Sequence, residues 1–534
     1  MPISEIKSVI QSGKTALGIE LGSSRIKAVL LDHRGNMLAS GCYAWENQLE
    51  AGIWTYHLEQ ALIGISKCYC EIADYIKSKY GICLMKIGVI GVSAMMHGYL
   101  VFDSKNRLLV PFRTWRNTIT KKSSEILTEL FNYNIPQRWC IAHLYQAILN
   151  NEKHINDISF ITTLSGYVHW RLTGKKCLGI GDASGMFPMD YVTKDYNQHM
   201  IEQFNSLIKK EMLPWKLQQL LPDILVAGEN AGKLTKEGAE ILDPSGTLQP
   251  GIPFCPPEGD AATGMVATNS IAPKMGNISA GTSVFASIVL EKSLSKAYSQ
   301  IDIVATPEGL PAAMVHCNNC TSDLNAWIGL FQECLECFGV YPDQDELYDV
   351  LYHKISLGDK SCKGFLAYNY LSGEHITGID EGRPLFCRMP ESQMNLADFF
   401  RTHVYTSFAT LKLGLDILTT KEAVTIKKMI GHGGFFKSGQ VGQKIMASVV
   451  GSPVSVLENA GEGGAWGIAL LASFMKWKKA GETLQGYLKN KIFCSIKGCV
   501  EMPSDEDIKG FNCFMKRYKA GFLLEKTAID NVIM

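Results

Sequence analysis

Between residues 253 and 290, an aspartate that follows a glycine lies close in sequence to a turn made of glycine and hydroxyl residues. Asp260 directly follows Gly259, which places its carboxylate on a turn open to a ligand rather than in a packed strand. Two predicted strands, residues 276–279 and 284–290, then flank a turn made of Gly281, Thr282 and Ser283. Such a turn can offer backbone N–H groups and hydroxyls to a phosphate. The acid and the turn together suggest phosphoryl transfer.

A second turn of similar composition lies near the start of the chain, between predicted strands at residues 16–19 and 26–31. Its residues are Gly22, Ser23 and Ser24. In one interpretation this turn cradles phosphates, Lys27 adds positive charge and Glu20 faces a metal ion. In the other interpretation it is only a tight hairpin, and the spacing favours neither. The sequence contains neither a P-loop nor a dinucleotide fingerprint.

Two further stretches could hold a polyol. Met96, His97 and Gly98 follow a predicted buried strand at residues 86–92, and ligands of α/β folds bind at the carboxyl ends of strands. His97 is therefore placed to hydrogen-bond a sugar hydroxyl, although a loop histidine satisfied by the protein fits the spacing equally well. Trp115 and Asn117 could offer an apolar face and a polar rim to a sugar, or form an ordinary amphipathic surface.

Regular hydrophobic spacing predicts the elements that must position these residues. Helices are predicted over residues 58–80, 121–132, 143–150, 160–172, 323–338, 395–418 and 441–450, and strands over 312–316 and 453–457. Asp182, in a loop at residues 181–185, is expected to form an Asx turn. Gly433 and Gly434 lie in a flexible stretch, residues 431–434, where a base or ribose can lie against the backbone.

Length and composition bound the class of protein. A chain of 534 residues is too long for a single hydrophobic core, so we expect at least two domains. Turn-forming residues are frequent over residues 228–253, which predicts a boundary there and domains at 1–255 and 256–534. The 52 basic and 52 acidic residues cancel, so no global field favours nucleic acid or an anionic membrane. We expect a soluble, cytoplasmic protein, because the sequence shows no membrane-spanning apolar run and no secretory signal.

The 16 cysteines are scattered, as is typical of free thiols in a reducing compartment. Two of the pairs, Cys317-x-x-Cys320 and Cys334-x-x-Cys337, come close to the spacing of a zinc ribbon. The second pair also falls within the predicted helix at residues 323–338, where helical spacing predicts one buried and one exposed thiol. We favour this helix over a structural zinc site.

The order of these features resembles the FGGY family of carbohydrate kinases over nearly the whole chain. Residues 18–24 look like the first phosphate motif of that family, and Gly259 with Asp260 looks like its catalytic-base motif. Residues 281–283 look like the second phosphate motif and residues 431–434 like the adenosine motif. The two glycine turns also form a faint internal repeat, through which two similar domains would grip one nucleotide from both sides.

Within that family, residues 96–98, 115–117 and 370–374 are most similar to the xylulokinase branch. The resemblance implies an α/β fold with two actin-like, ribonuclease-H-like domains and an interdomain cleft. The first domain would carry the sugar site and the first phosphate motif. The second would carry the catalytic base, the second phosphate motif and the adenosine motif.

The activity implied by the resemblance is ATP-dependent, magnesium-requiring transfer of the γ-phosphoryl group to a hydroxyl of a ketopentose such as xylulose. Asp260 would be the general base, and Glu20 and Asp260 would lie at the metal. The residues implied at the sugar are Met96, His97, Gly98, Trp115 and Asn117. The residues implied at the nucleotide are Gly22, Ser23, Ser24, Lys27, Gly281, Thr282, Ser283, Gly433 and Gly434.

Other assignments stay open. The family usually has aspartate where this chain has Glu20, and often asparagine or glutamine where it has Ala261, so ribulose, fuculose, gluconate or glycerol are alternative acceptors. An actin-like ATPase or regulator without sugar kinase activity is the alternative from another class. The expected partners are a small sugar and ATP, without nucleic acid or membrane. A homodimer is one assembly considered, and the oligomeric state stays open.

Overall fold

A computed structural model of the chain describes residues 2–457, 463–496 and 498–532. Its strands are β1 (Thr15–Leu21), β2 (Arg25–Asp32), β3 (Met37–Ala44), β4 (Gln48–Glu50), β5 (Ile53–Thr55), β6 (Val89–Ala94), β7 (Leu100–Phe102), β8 (Phe160–Thr162), β9 (Cys177–Gly179), β10 (Met189–Asp190), β11 (Asp195–Tyr196), β12 (Asp223–Leu225), β13 (Glu258–Gly259), β14 (Met275–Ala280), β15 (Val284–Val289), β16 (Asp302–Ala305), β17 (Pro311–Cys317), β18 (Phe365–Tyr368), β19 (Leu385–Arg388), β20 (Lys428–His432), β21 (Val454–Leu457) and β22 (Gly498–Glu501).

Its α-helices are α1 (Ile3–Gln11), α2 (Leu58–Tyr80), α3 (Lys121–Phe131), α4 (Cys140–Leu149), α5 (Leu164–Thr173), α6 (Ile180–Ala183), α7 (Gln198–Leu207), α8 (Leu217–Leu220), α9 (Lys236–Leu242), α10 (Asp260–Ala267), α11 (Ser322–Cys337), α12 (Gln344–Ser356), α13 (Leu396–Asp416), α14 (Gly439–Val450), α15 (Gly463–Trp477), α16 (Leu484–Tyr487), α17 (Asp505–Ala520) and α18 (Phe522–Asn531). The predicted α/β fold class is confirmed.

The first sheet has the strand order β13-β6-β1-β2-β3. β1 pairs antiparallel with β2, which puts Glu20 opposite Lys27, and parallel with β6. Nearly every residue of β1 and β6 is buried, because α2 covers one face of this sheet and α15 covers the other. The approach of α15 is closest at Gly18, where a Cβ atom would lie 2.1 Å from the carbonyl oxygen of Ala465.

The second sheet repeats this pattern within the order β16-β17-β15-β14-β20-β21-β22. β14 pairs antiparallel with β15 and parallel with β20, and β15 pairs antiparallel with β17. Strands β14, β15, β20 and β17 correspond, in this order, to β1, β2, β6 and β3 of the first sheet. The pairing confirms the internal repeat that the two glycine turns indicate. Helices α11 to α14 and α17 pack with this sheet around a large aromatic and aliphatic core.

Helices α10 and α15 lie between the two sheets. A separate apolar cluster joins them to buried residues of β1, β2 and β6 on one side and of β15, β16 and β17 on the other. The two helices also pack closely on each other, since a Cβ atom at Gly467 would lie 2.2 Å from the carbonyl oxygen of Thr263. Each helix therefore begins near the middle of the molecule, between the sheets.

Several predicted elements are confirmed, but the first residues of one predicted helix form a strand. The helix predicted over residues 58–80 is α2, and the hairpins around both glycine turns are present. The helix predicted from residue 160 begins only at Leu164, after the short strand β8. Thr163 follows the strand and caps α5, because its hydroxyl accepts the N–H of Gly166 at 3.2 Å.

Two smaller observations concern domains and cysteines. The predicted division at residues 255 and 256 falls just before β13, which pairs with β6 in the first sheet. Cys317 and Cys320 are buried, but Cys334 and Cys337 are both exposed. The prediction of one buried thiol in that second pair is wrong, because the last turns of α11 extend away from the core.

Among the described residues, no group of three or more His, Cys, Asp or Glu side chains is arranged to hold a metal ion. Within the same part of the chain, no helix is both long and apolar enough to span a membrane.

Candidate active site

Asp260 is the first residue of α10 and stands at the end of β13. Its side chain is exposed to solvent between the two sheets. Its Oδ1 accepts two hydrogen bonds, from the N–H of Met96 at 3.3 Å and from the N–H of Ala261 at 2.9 Å. The protein that surrounds the carboxyl group removes part of its hydration and raises its pKa, although these N–H groups oppose the shift. A held, accessible carboxylate with a raised pKa is suited to accept a proton.

The loop after β6 brings the predicted sugar residues to this carboxylate. Met96 is buried and packs against Gly259, where a Cβ atom would lie 2.2 Å from the Met96 Cγ. Only glycine therefore fits directly before Asp260. Gly98 has φ +98° and would meet the Phe112 ring with any side chain, so it too is required for this path of the backbone.

His97 is buried in this loop and has the unusual backbone angle φ +71°. Its Nδ1 lies 3.2 Å from the carbonyl oxygen of Gly185, and its ring stacks on Trp139 with centroids 6.3 Å apart. Burial, and then the charge of Arg138, lower the pKa of His97 to about 3. The imidazole is therefore neutral at physiological pH. No described residue makes a hydrogen bond to its Nε2.

Trp115 and Asn117 lie apart from this loop in the hydrogen-bond network. The side-chain amide of Asn117 is buried and makes two hydrogen bonds to the backbone of Trp54. Its Oδ1 accepts the N–H of Trp54 at 2.9 Å, and its Nδ2 donates to the carbonyl oxygen of Trp54 at 2.8 Å. Trp115 is 39% exposed. No described hydrogen bond joins either residue to His97 or Asp260. The sugar role of Trp115 and Asn117 stays a prediction, and the contacts of Asn117 are those of a residue that anchors β5.

The first glycine turn, Gly22 with Ser23 and Ser24, joins β1 to β2. Its carbonyl oxygens are bound from behind, since Trp45 Nε1 donates to Gly22 at 2.7 Å and the Tyr56 hydroxyl donates to Ser23 at 2.6 Å. Both serine side chains are exposed. The turn therefore offers hydroxyls and N–H groups on its outer side.

Glu20 lies two residues before the first glycine turn. Its Oε2 accepts the N–H of Ala465 at 3.1 Å, at the start of α15. Burial and then the negative charge of Asp260 raise the pKa of Glu20, while the Ala465 N–H and the Lys27 charge oppose the shift. The charge of Asp260 thus acts on Glu20, and Lys27 lies opposite Glu20 in the strand pairing.

The second glycine turn, Gly281 with Thr282 and Ser283, joins β14 to β15. Backbone N–H groups bind it from behind: that of Cys320 donates to Thr282 at 3.0 Å, and that of Thr321 donates to Gly281 at 3.1 Å. The Thr282 side chain is exposed, and a Cβ atom at Gly281 would meet no atom within 4 Å. This turn is also open on its outer side.

Gly433 and Gly434 follow β20 and lie beside the second glycine turn. Gly433 has φ +98°, and a Cβ atom there would lie 2.5 Å from the carbonyl oxygen of Ala280. Gly434 is exposed with no atom near its Cβ position. The fold thus brings the predicted adenosine stretch next to the predicted second phosphate turn.

Two buried carboxyl groups directly behind Asp260 are absent from the predicted site. Asp182 accepts the hydroxyls of Thr163, at 2.6 Å, and Ser165, and Glu258 accepts the Asp182 N–H at 2.9 Å. Burial raises the pKa of Asp182 to about 7 and the pKa of Glu258 well above its usual range. The Asx turn predicted for Asp182 is wrong, because its side chain instead accepts hydroxyl groups at the start of α5, and its backbone N–H donates to Glu258 of β13.

A second group missed by the sequence analysis is an ion pair with two histidines. Arg138 pairs with Asp302, the first residue of β16. The rings of His316 and His375 are stacked with centroids 6.3 Å apart. The positive charge of Arg138 contributes to the lowered pKa of both rings, although burial is the larger cause. Nothing local in the sequence signals this group, because its members come from four separate segments.

Comparison with known proteins agrees with this geometry. The model of the FGGY family of carbohydrate kinases, N-terminal domain, matches residues 15–267, and that of the C-terminal domain matches residues 276–475. A xylulose kinase of Haemophilus influenzae is 22% identical over 483 residues, which cover 84% of this chain and 89% of the relative. The chain belongs to the FGGY family of carbohydrate kinases. It is an ATP-dependent sugar kinase, most similar to the xylulokinase branch.

Solved structures show the same fold. The ligand-bound xylulose kinase of Lactobacillus acidophilus superposes with a TM-score of 0.78 at 15% sequence identity, covering 96% of this chain and 98% of that one. The gluconate kinase of the same organism has a TM-score of 0.77, also at 15% identity and with the same coverage. The two-domain, actin-like architecture is therefore confirmed.

Proposed function

We propose that this sugar kinase transfers the γ-phosphoryl group of ATP to a hydroxyl of a ketopentose such as xylulose, with Asp260 as the general base. The observation that carries the proposal is the placement of Asp260. Its exposed carboxylate is held by backbone N–H groups beside Met96 and His97, at the carboxyl end of β6. The similarity to a xylulose kinase over most of the chain supports a pentulose as the acceptor.

The proposed chemistry follows from the charges in the cleft. A sugar hydroxyl is a poor nucleophile, and a carboxylate that accepts its proton during attack contributes about 10²–10⁴ in rate. Asp260 stands at the start of α10, and its carboxylate can reach an acceptor held by the loop after β6. The neutral imidazole of His97 can hydrogen-bond an acceptor hydroxyl through Nε2 without adding charge.

The two glycine turns would hold the phosphates of ATP from opposite domains. Both leave N–H groups and hydroxyls on their outer sides, and such groups bind phosphate oxygens. Gly433 and Gly434 adjoin the second glycine turn, which suits an adenosine whose phosphates lie on that turn. Closing the cleft over both substrates would exclude water that otherwise hydrolyses ATP.

The residues present fit a magnesium ion. Mg²⁺ in kinase sites is bound through one or two carboxylates together with substrate phosphates, and it keeps several waters. Glu20 contacts the start of α15, Asp260 begins α10, and both of these helices lie between the two sheets. These two residues would hold the ion, directly or through its waters. When bound, the ion neutralises charge on the phosphate oxygens.

The first experiment measures sugar-dependent ADP release with ATP and magnesium across xylulose, ribulose, fuculose, gluconate and glycerol. We expect stimulation by a ketopentose. The decisive variant is Asp260→Asn, which keeps the size of the side chain and removes the base. It should lower kcat by about 10²–10⁴ and leave the dissociation constants of ATP and sugar nearly unchanged. Near-normal turnover would contradict the assignment of Asp260. ATP turnover that no sugar stimulates would favour the regulator alternative.

A further inference from the structure

An ion pair connects the two halves of the molecule at the cleft. Arg138 stands two residues before α4 on the first half, and its Nη2 contacts Oδ2 of Asp302 on β16 of the second half. The other carboxylate oxygen of Asp302 accepts the amide of Asn134 at 2.9 Å. Both oxygens are therefore occupied. Asp302 is only 9% exposed in its side chain, whereas the side chain of Arg138 keeps 26%.

Arg138 lies next to the acceptor loop. Its carbonyl oxygen accepts the N–H of Gly98 at 3.0 Å, and the following residue, Trp139, stacks on His97. The positive charge of Arg138 also acts on the carboxyl group of Asp260 and lowers its pKa, although the loss of hydration beside the surrounding protein raises that pKa more. Arg138 and Asp260 therefore contact the same loop, Arg138 at Gly98 and Asp260 at Met96.

Two imidazoles extend the same wall from the second half. His316 lies on β17, the neighbour of β16 in the sheet, and His375 follows β18. Burial and then the charge of Arg138 lower the pKa of His316 to about 4, and His375 also has a lowered pKa. Both rings are thus neutral at physiological pH. The opposing positive charges, led by Arg138, outweigh burial and lower the pKa of Asp302, which stays ionised.

The four side chains together carry no net charge at neutral pH, yet they present several hydrogen-bonding groups. The guanidinium has N–H groups beyond the one that contacts Asp302, and each neutral imidazole has one donor and one acceptor nitrogen. Hydroxyl groups can use both kinds of partner. A carboxylate at this wall would instead meet a guanidinium that is already paired, together with the negative charge of Asp302.

We propose that Arg138, Asp302, His316 and His375 form the wall that recognises the distal part of the acceptor, and that Asp302 makes this wall select uncharged polyols over aldonates. The inference rests on the proposed acceptor site at Asp260 and names the residue that sets its charge preference. Asp302 acts by pairing with Arg138, so that the guanidinium group is not free to bind a carboxylate of the substrate.

The test is the substitution Asp302→Asn, with gluconate and xylulose compared as acceptors. The amide has nearly the same size as the carboxylate but frees the charge of Arg138, which can then bind a carboxylate through two parallel hydrogen bonds. We expect the ratio of kcat/KM for gluconate to kcat/KM for xylulose to rise by about tenfold or more. An unchanged or lower ratio would overturn the proposal.

Two controls separate this effect from a general change in charge or stability. Asp416→Asn makes the same substitution at the end of α13, where Asp416 pairs with Lys412 and Lys519, and should leave the ratio unchanged. The double variant Arg138→Gln with Asp302→Asn should show no gain, because the gain requires the freed guanidinium. A gain of equal size in the double variant would also overturn the proposal.

A second variant covers the case in which Asp302→Asn does not fold, as judged by its thermal unfolding. Arg138→Gln leaves the negative charge of Asp302 unpaired, so the gluconate-to-xylulose ratio should fall below that of the wild type, and a rise would contradict the proposal. Failure of the proposed function is distinguishable, because it appears as a wild type that phosphorylates no acceptor. In that event, calorimetric binding of gluconate decides: binding about tenfold tighter to Asp302→Asn than to wild type supports the inference, and equal binding overturns it.

Discussion

The two glycine turns occupy equivalent places in the two sheets but are held and charged differently. Side chains from other strands and loops support the first turn, through Trp45 and Tyr56. Backbone groups at the start of α11 support the second, through the N–H groups of Cys320 and Thr321. The first hairpin carries the charged cross-strand pair Glu20 and Lys27. The corresponding cross-strand pair of the second hairpin is uncharged and consists of Ser279 and Phe285.

This difference separates two tasks that a phosphate site requires. Neutral donors on a rigid backbone can bind phosphate oxygens without any charged side chain, and the second turn has such donors only. A charged strand next to the first turn can in addition hold a cation and balance its charge. On the proposed roles of the two turns, the second hairpin would bind phosphate through neutral donors alone, whereas the first would also hold the cation. Substitutions at matched positions should therefore have unequal effects.

The largest inequality is expected between Glu20→Gln and Ser279→Ala. The Gln side chain keeps an oxygen that can accept the N–H of Ala465, so the start of α15 stays capped while the negative charge is lost. We expect kcat to fall by roughly 10²-fold and more magnesium to be needed for half-maximal rate. Ser279→Ala should stay within about twofold of the wild-type rate.

The measurement is the initial rate as a function of magnesium concentration at saturating ATP and sugar, together with thermal unfolding of each variant. Equal losses in both variants, or a loss in Glu20→Gln that tracks a loss of stability, would show that the two hairpins do not divide these tasks.

A smaller effect separates the two turn glycines. At Gly281 a Cβ atom would meet no protein atom within 4 Å, so Gly281→Ala should leave stability unchanged while its methyl group occupies space that the phosphates need. At Gly22 the Cβ atom would lie 3.1 Å from the carbonyl oxygen of Arg25, which also accepts the Gly22 N–H at 2.9 Å. Gly22→Ala should cost about 1 kcal/mol of unfolding free energy in addition.

Both alanine variants are expected to raise the KM for ATP by roughly tenfold, which corresponds to about 1.4 kcal/mol of binding. Steady-state kinetics at fixed sugar and urea unfolding give the two quantities separately. A stability loss in Gly281→Ala as large as that in Gly22→Ala would mean that the second turn is not open on its outer side.

The elements that follow local rules could be predicted from the sequence. The bounds of α2 match because its apolar spacing is long and regular and because Gly81, at φ 67°, ends it in the left-handed conformation. Both hairpins match for a similar reason, since glycine and hydroxyl residues between apolar runs mark a turn. The helix predicted over residues 160–162 is wrong, because a short apolar strand directly before a helix has the same composition as the helix itself.

The parts of the site that the sequence analysis missed are made by packing between distant segments. Arg138 and Asp302 meet only because β16 of the second sheet lies against the first half, where the N–H of Ala305 donates to the Ser184 hydroxyl at 2.9 Å. Glu258 is placed by the pairing of β13 with β6, and no spacing rule connects it to Asp182. Local patterns predict the positions of Asp260 and of the two turns, but they do not predict the side chains that hold or complement them.

The smallest expected difference concerns the supports behind the two turns. Tyr56→Phe removes the hydrogen bond to Ser23, measured at 2.6 Å, while the ring can still stack on Trp45, with centroids 4.3 Å apart. Thr321→Val removes the 2.7 Å hydrogen bond from the Thr321 hydroxyl to Gly281, but the backbone N–H of the same residue still donates to that oxygen. The second turn therefore retains a donor that the first turn loses.

We expect Tyr56→Phe to lower the unfolding free energy by about 0.5–1.5 kcal/mol and to raise the KM for ATP by about two- to fivefold, because the Ser23 carbonyl loses its protein donor. Thr321→Val should change both quantities less. Urea unfolding and ATP titration of the two variants test this order. If Thr321→Val proves the more damaging, the threonine hydroxyl and not the backbone holds the second turn, and the division between side-chain and backbone support would have to be reversed.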